Sequence, residues 1–361
     1  MGQAGIEAHK RNTGIDALRM LAMFMVAVLH VLKQGGVLSA CEPFSGQYEA
    51  AWLLEAAAYC AVNCYALISG YVGIRGKYRY TNIAELWLRV VFYSACITAA
   101  FRLFLPDTVG WEQCKAAVTP VMHGQYWYFT AYFALFFFLP ILNAAANHFT
   151  QKQYAALVIG LVTVFSVLPT FFRRDAFLLD GGYSAWWLAI LYVIGGYLRR
   201  FGLWERLRKG WWLALYLAAV CVSWVSKWLL ESHGHDSIFI SYTSPTILLA
   251  GIALLQFFKQ CSFSARAARI VAVFSPAAFS VYLIHVQPLV WEYIMEDRFA
   301  AFADKPWPLT LVCVLGTAAG IYAGCSVIDL AREKLFRVLK IKKMCLQLET
   351  KYIGETWTKL Q

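Results

Sequence analysis

Apolar windows of about 18 to 25 residues recur along the whole chain, and short polar segments between them carry much of its charge. That length matches the roughly 20 residues a helix needs to cross a hydrocarbon core about 30 Å thick, where every backbone N–H and C=O must be paired within the segment. A membrane barrel would alternate apolar and polar positions, and these windows do not. The pattern predicts an all-α polytopic membrane protein, a bundle of ten helices at 15–37, 49–73, 83–105, 125–146, 153–172, 185–198, 211–231, 242–258, 270–295 and 307–330. The even count puts both termini on one side.

Composition agrees, with 60% hydrophobic and 15% charged residues against roughly 45–50% and about 25% in soluble domains. Lys and Arg between the spans give the orientation, since cytoplasmic loops hold their excess. A cytoplasmic N-terminus puts Lys10, Arg11, Arg75, Lys77, Arg79, Lys152, Arg199, Arg200, Arg206, Arg208, Lys209, Lys259, Arg266 and Arg269 inside, with the basic residues after the last span. The other side receives Lys33, Lys115, Arg173, Arg174, Arg298 and Lys305. The net charge of +11 then reflects topology and attraction to anionic headgroups, and gives no reason to invoke nucleic acid. A multi-pass protein of the cell (cytoplasmic or inner) membrane is expected.

The first apolar stretch is too long and too charged for a cleavable leader and lacks a small-residue cleavage site, so it is expected to stay as a helix. Residues 1–330 read as one transmembrane domain. In the basic tail, 331–361, Leu335, Phe336, Leu339 and Ile341 alternate with cations, which suits a helix anchored on the inner leaflet. Most cysteines fall in spans and act as small apolar residues; Cys41 and Cys114 fall in outer loops, and a disulfide between them is left open.

Chemistry is suggested where ionisable residues interrupt the apolar pattern. In "GIDALRMLAMFMVAVLH", eleven residues separate Arg19 from His30, which at about 100° per residue is three turns plus roughly 20°, on one face and about 16 Å apart along the axis. Asp16 shares that stripe. Ionisable groups inside a membrane are functional by default, and a histidine can remove a proton from an attacking hydroxyl. The competing reading is an interfacial Asp16–Arg19 ion pair with His30 satisfying a buried carbonyl. A second histidine, His285 in "FSVYLIHVQP", has Tyr282 on its face.

"NCYALISGYVG" brings Asn63, Ser69 and Gly70 to the inner end of the second span, where small residues permit close helix approach. The fourth span opens with His123, Gln125, Trp127 and Tyr128, explicable as an interfacial belt or as a sugar-stacking surface. Arg102 and Lys227 lie near enough to span ends to snorkel, whereas Arg89 lies about two turns deep. No phosphate-cradling loop, H-E-x-x-H, G-x-S-x-G or cysteine–histidine metal spacing is found, so no metal is expected.

These residues resemble the acyltransferase-3 family of bacterial membrane acyltransferases, and more narrowly its surface-polysaccharide O-acetyltransferases. The resemblance rests on "GIDALRMLAMFMVAVLH", "LISGYVG", "QYWYFTAYFALFFFLPIL" and "FSVYLIH", in order across nearly the whole chain. It implies acyl transfer, commonly acetyl from acetyl-CoA, to a carbohydrate hydroxyl on the cell surface or on a lipid-linked precursor. His30 matches the catalytic histidine and Arg19 the paired arginine, with Asp16 beside them.

Arg89 matches the later arginine of a third-helix Arg-x-x-Arg pattern, and Leu86 stands at the earlier position. The donor's phosphates are then expected at Arg19, Arg89, Arg75, Lys77 and Arg79, and the acceptor at His285, Tyr282, Trp127, Tyr128 and Ser69. The family often adds an esterase-like domain, and these 361 residues hold none. A transporter or flippase for a glycolipid intermediate is the alternative, with the polar stripe as its path. A membrane scaffold in a polysaccharide assembly complex would need no such stripe.

Overall fold

The computed structural model describes residues 12–204, 206–231 and 238–354. Lys10, Arg11 and tail residues 355–361 therefore lie outside the described residues. The helices in chain order are α1 Thr13–Leu32, α2 Val37–Ala40, α3 Gly46–Ala58, α4 Ala61–Gly73, α5 Tyr80–Phe104, α6 Trp111–Val118, α7 Trp127–Phe136, α8 Leu139–His148 and α9 Gln151–Val162. They continue as α10 Leu168–Phe172, α11 Ala185–Arg200, α12 Lys209–Glu231, α13 Pro245–Lys259, α14 Ala265–Phe274, α15 Ala278–His285, α16 Pro288–Val290, α17 Trp307–Val338 and α18 Ile341–Tyr352. Among the described residues there is no strand.

Seven stretches are long and apolar enough to cross a membrane, and the pair α7–α8, bent by 59°, makes eight if it counts as one span. The expected spans 185–198 and 242–258 form α11 and α13, of 16 and 15 residues. At 1.5 Å per residue these measure about 24 and 22 Å, short of the hydrocarbon thickness. Both lie inside the bundle, α11 along α4 and α13 against α12, α4 and α1. A helix enclosed by protein is as apolar as one facing lipid, so its hydropathy resembles that of a span.

Several expected spans are interrupted, the fourth at the bend between α7 and α8. The second breaks between α3 and α4. The ninth breaks at a 3-10 turn, Ser275–Ala277, where Pro276 has no N–H to offer the ladder. The helix α1 is enclosed by α3, α4, α13, α14, α15 and α17. Its Asp16, Arg19 and His30 side chains consequently find partners within the protein.

Backbones approach closely where α4 crosses α11. A Cβ on Gly70 would lie 2.0 Å from the carbonyl oxygen of Tyr192, and one on Gly195 would lie 2.2 Å from that of Leu67. Nearby, Asn63 is a structural link, donating to the Tyr242 carbonyl at 2.8 Å and accepting from Trp187 Nε1 at 3.2 Å.

The tail differs from a free-lying anchor. The last long helix, α17, runs unbroken past residue 330 to Val338, and after a left-handed turn at Lys340 α18 folds back along α5. There the Glu349 carboxylate accepts from the backbone N–H groups of Tyr80 (2.9 Å) and Thr81 (3.1 Å) and from the Thr81 hydroxyl. It caps the exposed donors of the α5 N-terminus, which has no side-chain cap of its own.

Lys227 does not snorkel. It is buried, paired with Glu231 at 2.7 Å, and lies 3.9 Å from the ring centre of Tyr48 and 4.5 Å from that of Trp52. Arg102 reaches the carbonyls of Pro106 and Val109 just past its helix, both at 2.9 Å. Cys41 and Cys114 are free thiols, one buried and one exposed.

The α4–α11 crossing gives a stability test. Gly70→Ala and Gly195→Ala force backbone displacement and should each destabilise by about 1–3 kcal/mol, read as a lower melting temperature in detergent. Gly316→Ala, with nothing within 4 Å of the added carbon, should change stability by less than about 0.5 kcal/mol. Equal melting temperatures for all three variants would contradict the crossing.

Candidate active site

Two histidines from distant parts of the chain meet inside the bundle. His30 Nδ1 lies 2.7 Å from His285 Nε2, and His285 Nδ1 lies 2.5 Å from the Val281 carbonyl oxygen. The carbonyl can only accept, so His285 donates from Nδ1 and its Nε2 carries the lone pair. His30 must then donate from Nδ1. Its own Nε2 is left as a lone pair with no hydrogen-bond partner among the described residues. The Trp291 ring meets His30 edge-on at 4.7 Å and fixes the imidazole plane. His285 therefore sets both the tautomer and the direction of His30.

His30 lines a narrow cavity of about 30 Å³ together with Tyr65, Trp127, Tyr128, Tyr242 and Tyr282. Trp127 and Tyr242 are nearly parallel, 21° apart with centres 6.1 Å from each other. The hydroxyl of Tyr282 accepts from the Tyr128 backbone N–H at 3.4 Å, so its own proton is available to the cavity. The hydroxyls of Tyr65 and Tyr128 are buried without a hydrogen-bond partner.

The break in the ninth expected span carries the next group. Arg19 Nη1 lies 2.7 Å from Asp16 Oδ1 and 3.4 Å from Ser275 Oγ, and Ser275 Oγ donates to the same Asp16 oxygen at 3.3 Å. Arg89 Nη1 donates to the Pro276 carbonyl at 3.4 Å, and its Nε is buried without a partner. Pro276 thus interrupts the helix and supplies an acceptor that an intact helix would hide.

Arg19, Arg89, Ser69 and Ser275 line a second cavity of about 310 Å³, which shares Tyr65, Tyr128 and Phe279 with the first. A third cavity, of about 270 Å³, shares Arg89 and Pro276 with the second and adds Arg332, Arg337 and Lys342. The three form one series of chambers. It runs from the α17–α18 corner to His30.

The structure brings together His30, Tyr282, Trp127 and Tyr128 around the first chamber, with His285 bonded to His30 but outside the lining, and Arg19, Arg89 and Ser69 around the second, with Asp16 bound to Arg19. Leu86 also lines the second chamber, so α5 gives it one guanidinium where the family pattern has two. Arg75, Lys77 and Arg79 are exposed, and none of them lines any of the three chambers.

Sequence reasoning missed Tyr65, Tyr242, Ser275, Arg332, Arg337 and Lys342. Arg332 and Lys342 looked like ordinary topology charges in a tail. The unbroken α17 carries Arg332 to the chamber beside Arg89, and the reversal at Lys340 brings Lys342 there.

A family model described as an acyltransferase domain matches residues 12–325. No curated protein and no solved structure matches the chain.

The tautomers can be read directly. Nitrogen-15 spectra of the histidine-labelled protein near neutral pH should show His30 and His285 both protonated at Nδ1 and bare at Nε2. An Nε2–H signal assigned to His30 would contradict the arrangement.

Proposed function

The chain belongs to this acyltransferase family, and from that premise we propose that it is a membrane-bound O-acyltransferase. It moves an acyl group, acetyl in the simplest case, from cytoplasmic acyl-CoA to a carbohydrate hydroxyl on a cell-surface glycan or its lipid-linked precursor. One observation carries the reading: the unengaged Nε2 of His30 sits in an aromatic chamber that continues into a cation-lined one.

The donor's dimensions suit that path. From phosphate oxygen to sulfur, a pantetheine arm has about as many bonds as four extended residues, or roughly 14 Å. Arg19 and His30 are separated by about 16 Å along α1. Phosphates near Arg19 and Arg89 therefore leave the thioester within reach of His30. The acceptor sugar lays its apolar face on Trp127 or Tyr242, and its hydroxyls meet those of Tyr65 and Tyr128.

In the reaction, His30 Nε2 takes the proton of the sugar hydroxyl as its oxygen attacks the thioester carbonyl carbon. His285 Nε2 accepts from His30 Nδ1–H throughout and stabilises the imidazolium that forms. Tyr282 donates its O–H to the developing oxyanion. The intermediate collapses by breaking the carbon–sulfur bond, and His30 returns its proton to the thiolate. Free CoA and the O-acyl sugar leave.

The test is transfer from labelled acetyl-CoA with release of free CoA, measured on membranes holding equal amounts of each variant. His30→Ala should lose about 10²–10⁴-fold in rate, and Tyr282→Phe should lower kcat by about 10²-fold with a much smaller change in KM. Wild-type rates for His30→Ala would refute the catalytic assignment. Glycan movement without CoA release would favour a flippase.

A further inference from the structure

Arg332, Arg337 and Lys342, which bring cations from α17 and α18 to the third chamber, lie beyond residue 325, where the family match ends. We infer that the end of α17 and the docked helix α18 form the nucleotide end of the donor site, holding the phosphorylated adenosine of CoA outside Arg89. This rests on the reading of acyl-CoA as donor. It places the nucleotide grip in the tail, away from the basic α4–α5 connection expected to provide it.

Four observations support the placement. The chamber is lined by Arg89, Arg332, Arg337 and Lys342 against only Glu85 and Glu333, the latter paired with Arg337 at 2.9 Å, so its lining still carries a surplus of positive charge. Arg332 is 6% exposed and held by two hydrogen bonds to Asp329 Oδ1, at 2.9 and 2.6 Å, while Tyr93 donates to the same oxygen at 2.7 Å. A guanidinium fixed in this way is preorganised for phosphate.

The Phe336 ring, which also lines the chamber and lies 5.0 Å from the Arg332 guanidinium, offers a flat apolar face to a base. Finally, α18 is clamped to the α5 N-terminus by Glu349, which keeps Lys342 beside the chamber. An anionic lipid headgroup presents the same phosphate chemistry. The nucleotide is favoured because this chamber joins, through Arg89 and Pro276, the path that ends at His30.

The experiment uses the full chain in nanodiscs of zwitterionic lipid, with acetyl-CoA, acetyl-3′-dephospho-CoA and S-acetylpantetheine as alternative donors. For Arg337→Ala/Lys342→Ala, KM for acetyl-CoA should rise roughly tenfold, that for the dephospho donor should rise less, and that for S-acetylpantetheine should stay unchanged. Glu349→Ala should show the same ranking through release of α18. Equal changes with all three donors, or none with acetyl-CoA, would overturn the inference. So would an effect that appears only in phosphatidylglycerol-rich nanodiscs, which would assign the chamber to a lipid headgroup.

Retention of tritiated CoA, read without turnover, separates the inference from the proposed activity. Retention by the wild type and its loss in the double variant support the site even if no acetyl transfer occurs. Absence of retention by the wild type overturns it.

Discussion

Everything at the centre of the bundle depends on how α1 satisfies its polar side chains without water. An unpaired polar group in hydrocarbon costs several kcal/mol, and α1 carries Asp16, Arg19 and His30. All three are met by the broken ninth span: Ser275 binds Asp16 and Arg19 at one end, and His285 binds His30 at the other. Breaking a buried ion pair is strongly destabilising. The same contacts that carry the proposed chemistry therefore fix α1 against α14 and α15.

The break at Ser275–Ala277 makes this arrangement possible. In a continuous helix the Pro276 carbonyl would be buried in the ladder, and the Ser275 hydroxyl would tend to bond back to its own helix. The interruption turns both towards the chambers, where Arg89 and Arg19 find them. Irregular backbone at membrane depth is tolerated where protein encloses it or where it lines a cavity, and here it does both.

The sequence carried the membrane class, the stripe on α1 and the pairing of Tyr282 with His285, because each depends on local period and hydropathy. It did not show that α11 and α13 are shorter than the other apolar helices and packed inside the bundle, since burial in protein and burial in lipid select the same residues. Tyr65 and Tyr242 gave no signal among twenty tyrosines, because an aromatic in a membrane helix is ordinarily packing or interfacial belt. The meeting of His30 with His285 spans 255 residues, and no local pattern encodes it. Arg75, Lys77 and Arg79 were chosen by nearness in sequence to Arg89, but the fold brings Arg332 and Lys342 there instead.

The order of the chambers follows from solvation. Moving a multiply charged phosphate deep into low dielectric is costly even when paired, whereas an amide-linked arm and a neutral thioester pay far less. The cations that line the three chambers accordingly lie in the outer two, and the chamber around His30 is lined by aromatic, aliphatic and hydroxyl groups. A donor with a charged head and a neutral reactive end can bind there in one orientation only. The same gradient keeps Arg19 and Arg89 out of the lining around His30, which suits the proposed transfer of a proton from the acceptor. The proposed donor orientation and the proposed proton transfer then rest on the same gradient of charge in the chamber linings.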